Sequence, residues 1–535
     1  MPLTLPPCWR RRIATLLAAA TAFGALAPVT AAHAQVRLPA LGESANDDLS
    51  VGTERRLGDQ IMASVRRDPA YLDDPLLLEY VQSLWRPLLE VARQRGDIPP
   101  ETVSQFAWET FLVRDRSVNA FALPGGWVGV HLGLIAITAS RDELASVLAH
   151  ELTHVSQRHI ARSIDNSARA SWIGMAALLL GVIAASRANN ADMANAAIMA
   201  GQGAALQGQL NFSRDMEREA DRVGFGLLTG AGFSAAGMAS MFEKLESANR
   251  LNDNNAFPYL RSHPLTGERI GEARSRVLLP AALPPGPPLE HALMQARARV
   301  LMDTAAAALR RQQEQLDAAA ALSGRDRAGA LYAGALASSM LGDHARAAAA
   351  ATEVQRVVEA ASPREIGADR AAALLRAQVM LAAGDGAGAL AALDRAPAPG
   401  RPALLLGAQA VLEARRQAGP GGDALVRASV EQLQTWLADH RTDAAAWSAL
   451  AAASDALGLK LRAIRAGAEA QAALGDVGGA IDRLRAGQQA ARSGEAIDFI
   501  ESSVIDARLR ELQAQRRQAL AEARGGRGEE ASPPR

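Results

Sequence analysis

Apolar positions change their spacing several times along the chain, and each change predicts a different element. Between residues 46 and 95 they fall three and four apart, from Arg55 to Val65 and from Leu76 to Val91, as on amphipathic helices. Asp68-Pro69 and Asp74-Pro75 interrupt that stretch, because proline has no helical N–H and restricts the residue before it. From Phe106 to about Ile135 the pattern shortens. Phe111-Leu112-Val113 and Trp127-Val128-Gly129-Val130 read as strands, with Pro124-Gly125-Gly126 as a turn between them. A long helix is predicted from Arg141 through Ile160. Trp172 to Ala185 is an unbroken apolar run of 14 residues. As a helix it spans about 21 Å, short of the roughly 30 Å hydrocarbon layer of a bilayer. A buried helix is the expectation, with a mobile apolar hairpin beside a cleft or a membrane surface as the other reading. Gly201, Gly203 and Gly208 after it are compatible with a hinge.

Pro280 to Pro288 marks a boundary, and residues 290–520 beyond it are alanine-rich and helical in pattern. Helix-ending turns recur at Leu341-Gly342-Asp343, Ala383-Gly384-Asp385, Leu457-Gly458 and Leu474-Gly475-Asp476. Stacked helix pairs of about 34 residues, the tetratricopeptide pattern, would produce such turns. Their spacings of 42, 74 and 17 residues describe an irregular array instead of a regular one. An ordinary helical bundle is the alternative. Residues 521–535 turn Gly-, Glu- and Pro-rich and are expected to be a disordered tail.

Composition narrows the class. The 535 residues balance 57 basic against 57 acidic side chains, which argues against a nucleic-acid binder, and 49% hydrophobic content excludes wholesale disorder. Only 4% is aromatic, which fits packed helices better than a β-rich fold. Residues 1–34 read as a cleaved secretory leader: Arg10-Arg11-Arg12, an apolar stretch from Ile13 to about Ala27, and Ala32-His33-Ala34 before Gln35. The one cysteine, Cys8, precedes the apolar stretch, so this is no lipoprotein site. The expected mature chain is exported to the periplasm, free of cysteine, with a net charge of about −3.

Candidate chemistry centres on His150-Glu151-Leu152-Thr153-His154. Two residues four apart on a helix differ by about 40° in direction, so both imidazoles can face one ion. Glu151, about 100° away, can hold a water beside it. A hydrolytic zinc site needs a third protein ligand. His159 is rejected, since on a continuous helix it faces the opposite side, and it is expected to be a polar-face residue. Ser213 to Asp221 offers carboxylates on a predicted helix, with Glu217 and Asp221 one turn apart and Glu219 pointing elsewhere. Spacing alone does not choose between Glu217 and Glu219. His131, His291, His344 and His440 have no ligand spacing and are expected to be structural.

Asn119-Ala120-Phe121-Ala122-Leu123-Pro124-Gly125-Gly126, then Gly133-Leu134-Ile135, Glu143-Leu144, His150 to His154 and Glu217-x-x-x-Asp221 follow in one order. This order resembles the zinc metallopeptidases of the HtpX and CAAX-prenyl-protease family over about residues 50–275. With the leader and helical second half, the chain is most similar to the soluble periplasmic, BepA-like branch. The resemblance implies a mainly α protein: an α+β zincin-type (gluzincin) peptidase domain with a small sheet over 35–285, then a tetratricopeptide-like helical domain over 290–520. It implies one zinc ion held by His150, His154 and Glu217, with Asp221 supporting a ligand histidine and Glu151 as general base. It further implies that residues from Asn119, Ala120 and Phe121 to about Val130 receive substrate as an added strand. Ser262-His263-Pro264 matches a family segment after the metal helices. His263 is then a fourth, closing ligand or an oxyanion stabiliser, against the plainer reading of a surface-loop histidine. Arg269 is catalytic or an ion-pair partner.

The implied activity is a periplasmic zinc endopeptidase acting on misfolded or stalled clients of outer-membrane protein assembly, with the repeats binding those clients or their assembly machinery. The rival is a non-proteolytic chaperone or scaffold whose zinc site is closed. A membrane-embedded prenyl-protein processor is disfavoured, because no stretch after the leader is long and apolar enough to span.

Overall fold

The computed structural model describes residues 50–163, 213–251, 259–277, 288–398, 400–493 and 498–528. The expected leader, Trp172–Ala185, Gly201, Gly203, Gly208, most of the proline-rich boundary and residues 529–535 lie outside these. Helix α1 (Val51–Val65) starts at Ser50, whose side chain accepts from the Thr53 N–H. Strand β1 (Tyr71–Leu72) follows, too short to register as a sequence pattern. Helix α2 (Pro75–Arg95) starts at the expected Asp74-Pro75 break: the Asp74 carboxylate caps the Leu77 N–H and Pro75 occupies the first turn, where its missing donor costs nothing.

The two strand-like runs become β2 (Glu109–Val113) and β4 (Trp127–His131), paired in parallel with Thr110 opposite Val128. Between them β3 (Ala120–Leu123) pairs antiparallel with β4, Phe121 opposite Gly129. Gly125 (φ +74°) and Gly126 (φ +90°) supply the left-handed turn joining β3 to β4, a conformation side chains resist. The sheet order is β1-β2-β4-β3, which leaves β3 at an edge.

Helix α3 (Leu132–Ile137) leads into α4 (Arg141–Ser156), capped by Ser140 accepting from the Glu143 N–H. Every residue of α4 from Glu143 to Ser156 is buried. The helix does not continue through Ile160 as the pattern predicts. It stops at Ser156, Arg158 takes φ +51°, and a new short helix α5 (His159–Ser163) begins. No glycine or proline marks this break. Arg158 Nε reaches the buried Glu54 Oε2 at 3.0 Å, a tertiary contact at the very residue that leaves the helical conformation. Helix α6 (Arg214–Gly230), α7 (Ala236–Leu251), a turn at Tyr259–Ser262 and α8 (Gly267–Arg276) complete this half.

The second half is a succession of helices: α9 (Leu289–Leu301), α10 (Ala306–Ala318), α11 (Gly324–Met340), α12 (His344–Glu359), α13 (Ile366–Ala382), α14 (Gly386–Leu393), α15 (Arg401–Ala418), α16 (Asp423–Asp439), α17 (Ala444–Ala456), α18 (Lys460–Ala473), α19 (Val477–Arg492) and α20 (Phe499–Gly528). From α10 onward each packs on its successor. All four turns read from the sequence are present, with Gly342, Gly384, Gly458 and Gly475 at φ between +74° and +81°. Asp343, Asp385 and Asp476 then cap the helices that follow. Helix α20 runs to Gly528, so the tail expected to be disordered from 521 is helical to that point. Ala, Leu, Glu and Arg between 519 and 524 are all strong helix formers and outweigh the glycines after them.

The two halves share one core. A continuous buried cluster runs from Leu72 to Val379 and includes α2, the sheet, α4 and α9 to α13. Helix α9 packs on α2 and α3. Its His291 joins Tyr80 Oη (2.6 Å) and the Thr138 carbonyl (2.9 Å), and its Arg297 forks onto Asp74 at 2.6 and 2.7 Å. Among the described residues no helix is long and apolar enough to cross a membrane.

Candidate metal centre

Helix α4 turns His150, Glu151 and His154 toward α6, and all three are fully buried. The approach of α6 depends on Gly224: a Cβ there would lie 3.2 Å from the Ala149 carbonyl and the His150 nitrogen. Helix α6 therefore lies close enough for Glu217 and Asp221 to meet the histidines. His150 Nε2 is 3.0 Å from His154 Nε2, and each lies 3.5 Å from a Glu217 oxygen. His263 enters from the turn before α8, with Nδ1 3.0 Å from Glu217 Oε1 and 3.3 Å from His150 Nε2. His150, His154, Glu217 and His263 each offer one ligand atom within 4.8 Å of the others. His263 is 1% exposed, which rules out the surface-loop reading.

Around this set the charges are held in place. Asp221 Oδ1 accepts from His150 Nδ1 at 3.0 Å, and Arg269 forks onto the same carboxylate at 2.6 and 2.8 Å. Arg269 Nη1 also lies 2.9 Å from Glu217 Oε2 and donates to the Pro264 carbonyl. Arg269 is thus an ion-pair partner of both α6 carboxylates. Burial opposes ionisation of His150, but hydrogen bonds to Asp221 and Glu217 outweigh it and push its pKa up to about 9. Burial would likewise raise Glu217, yet His263 and His150 hold it far below the usual carboxylate range. Burial, reinforced by the charges of His150 and His263, lowers His154.

The donor set fits a divalent ion of the zinc type. It is made of nitrogens and a carboxylate, it is buried, and with Nδ1–H committed to Asp221, His150 has only Nε2 left to face the cluster. A cation there would replace the second ring proton that the two carboxylates otherwise stabilise on His150. Glu151 stands beside the set and not in it. Both its oxygens are buried without a hydrogen-bond partner, and His263 Nε2 lies 3.5 Å away. Burial raises its carboxyl, opposed by His263, His150 and the nearby N–H of Ala122 on β3.

Asn119, Ala120 and Phe121 lie at the start of β3. Asn119 is buried, its carbonyl accepts from the His131 N–H at 3.1 Å, and its Oδ1 has no partner. Phe121 meets Phe111 and His131 edge-on.

His159 was misread. It is not the polar-face residue that its spacing predicts: the break at Arg158 swings it back, wholly buried, behind His154. Its Nδ1 is 2.8 Å from His154 Nδ1 and its Nε2 3.1 Å from Glu219 Oε2, which Arg162 also holds at 3.0 Å. Burial lowers the His159 imidazole despite Glu219. Residue spacing carried no signal for this placement, because it depends on where the helix ends.

Residues 80–277 match the family described as Peptidase family M48, a span holding strands β2 to β4, both α4 histidines, Glu217 and His263. These residues are an M48 metallopeptidase domain. A Vibrio cholerae protein is 37% identical over 270 residues, 50% of this chain and 53% of its own. The Escherichia coli K12 protein named beta-barrel assembly-enhancing protease is 35% identical over 267 residues, 49% of this chain and 51% of its own. More distantly, the Arabidopsis thaliana mitochondrial metalloendopeptidase OMA1 is 33% identical over 188 residues, 35% of this chain and 33% of its own. The chain spans about half the length of the two bacterial relatives it matches.

Proposed function

We propose that the chain is an exported zinc-dependent endopeptidase that cleaves stalled or misfolded clients of outer-membrane protein assembly. The observation that carries the chemistry is the convergence of His150, His154 and Glu217 beside a buried Glu151 without hydrogen-bond partners. His150, His154 and Glu217 would hold the ion. Zinc, when bound, supplies Lewis acidity that polarises a peptide carbonyl and acidifies water. Glu151 takes a proton from the attacking water and passes it to the amine as the C–N bond breaks. Asp221 fixes the His150 ring, and Arg269 fixes Asp221.

Strand β3 leaves one side of the sheet edge for a substrate segment, with Asn119, Ala120 and Phe121 at its start. The leader pattern of residues 1–34 and the name of the E. coli relative support a periplasmic place and β-barrel clients. Helices α10–α20 supply a tetratricopeptide-like surface for those clients or their assembly machinery.

A second reading is favoured by His263, whose Nδ1 belongs to the same donor set. As a fourth ligand it would close the site, leaving a restrained peptidase or a scaffold. The test is cleavage of an unfolded protein by wild type, Glu151→Gln and His263→Ala, with zinc content measured on each. Glu151→Gln should keep its zinc and lose about 10²–10⁴-fold in turnover. Normal cleavage by that variant would sink the assignment. A faster His263→Ala identifies self-restraint; three zinc-loaded, silent proteins identify the scaffold.

A further inference from the structure

The two ligand histidines of α4 are supported in different ways. His150 donates directly to a carboxylate, Asp221 Oδ1 at 3.0 Å. On its Nδ1 side, His154 meets a second imidazole, His159, which links it to Glu219. The protons in this chain can be assigned in order. A carboxylate only accepts, so the 3.1 Å contact to Glu219 Oε2 carries its hydrogen on His159 Nε2. A neutral imidazole then presents Nδ1 as an acceptor. The hydrogen in the 2.8 Å contact between the two Nδ1 atoms therefore belongs to His154. That leaves the Nε2 lone pair of His154 facing His150 and Glu217, which is what a ligand must do.

We propose that His159 is a positioning residue for the metal: it fixes the ring and tautomer of His154, and Glu219, steadied by Arg162, fixes His159. The inference rests on the reading of His150, His154 and Glu217 as the metal ligands. It places three carboxylates on one helix, α6: Glu217 toward the ion, Asp221 behind His150, and Glu219 behind the partner of His154. The left-handed Arg158 is the device that makes the relay possible, since an unbroken helix would carry His159 away.

The test compares wild type with His159→Phe, His159→Gln and Glu219→Ala in the full chain. Zinc dissociation constants come from competition with a chelator, and the visible spectrum of the cobalt(II)-loaded protein reports ligand geometry. Phe fills the ring's space but neither accepts nor donates; it should weaken zinc 10–100-fold, roughly the loss found when such a supporting partner is removed, and shift the cobalt bands. Gln, with an amide oxygen for His154 and an amide nitrogen for Glu219, should recover most of that loss. Glu219 is partly exposed, so Glu219→Ala should fold readily and weaken zinc in the same direction. Wild-type affinity and an unshifted cobalt spectrum in His159→Phe overturn the proposal. If that variant does not fold, the same result in Glu219→Ala overturns it. Zinc retained at full strength by His150→Ala would instead sink the metal-centre reading itself.

Discussion

Arg269 shows how far the centre depends on charges that never touch substrate. Its fork spans Asp221 and approaches Glu217, two buried carboxylates on neighbouring turns of α6. Removing it takes one buried cation from both, so Arg269→Ala should destabilise the protein by about 3–5 kcal/mol in denaturant unfolding. Arg269→Lys should restore little, because an ammonium cannot place two parallel N–H groups on one carboxylate. Much of this was legible beforehand. The i, i+4 histidines and the Glu217/Asp221 pair follow from helical periodicity and needed only uninterrupted helix around them. The role of His159 was not legible, and for Arg269 the sequence left catalysis and ion pairing undecided. Arg269 acts across 48 residues of sequence, and His159 depends on a helix break at Arg158, whose ion-pair partner Glu54 lies 104 residues away.

Helices α4 and α6 are held at close range by a single missing side chain. A methyl at residue 224 would press on α4 backbone at 3.2 Å, and backbone yields less readily than a side-chain tip. Gly224→Val should move the helices apart, draw Glu217 and Asp221 off the histidines, and lower zinc content and cleavage together. Full zinc occupancy in that variant would show that the spacing is not set there. Elsewhere the elements divide by how locally they are determined. Breaks and turns were read correctly where the residue type itself does the work, as at Asp74-Pro75 and the four glycine turns of the second half. Strand β1 was invisible because a two-residue strand exists only through its pairing with β2. The end of α4 and the reach of α20 were misplaced, the first beside a distant ion pair, the second by good helix formers continuing past the expected stop.

Proline composition put a boundary between the halves, yet the packing runs across it. Helix α9 stands on the far side of Pro280–Pro288 and still supplies His291 to Tyr80 and Arg297 to Asp74 in the first half. A chain cut near Pro280 should therefore expose α2 and α3, and lose solubility or unfold at markedly lower temperature than the full protein. A truncated chain melting like the whole would mean that the shared core contributes little. The same reasoning applies to the ion. Four buried donors from α4, α6 and the turn before α8 meet in the folded state alone, so a bound metal stabilises the fold by mass action, about 2.7 kcal/mol at a hundredfold excess over its dissociation constant. Chelation should lower the unfolding temperature of wild type and of Glu151→Gln alike, and much less in His150→Ala. For a protein read here as working outside the cytoplasm, zinc supply would then govern abundance as well as rate: chains starved of the ion would open, meet other proteases, and be cleared before their own activity mattered.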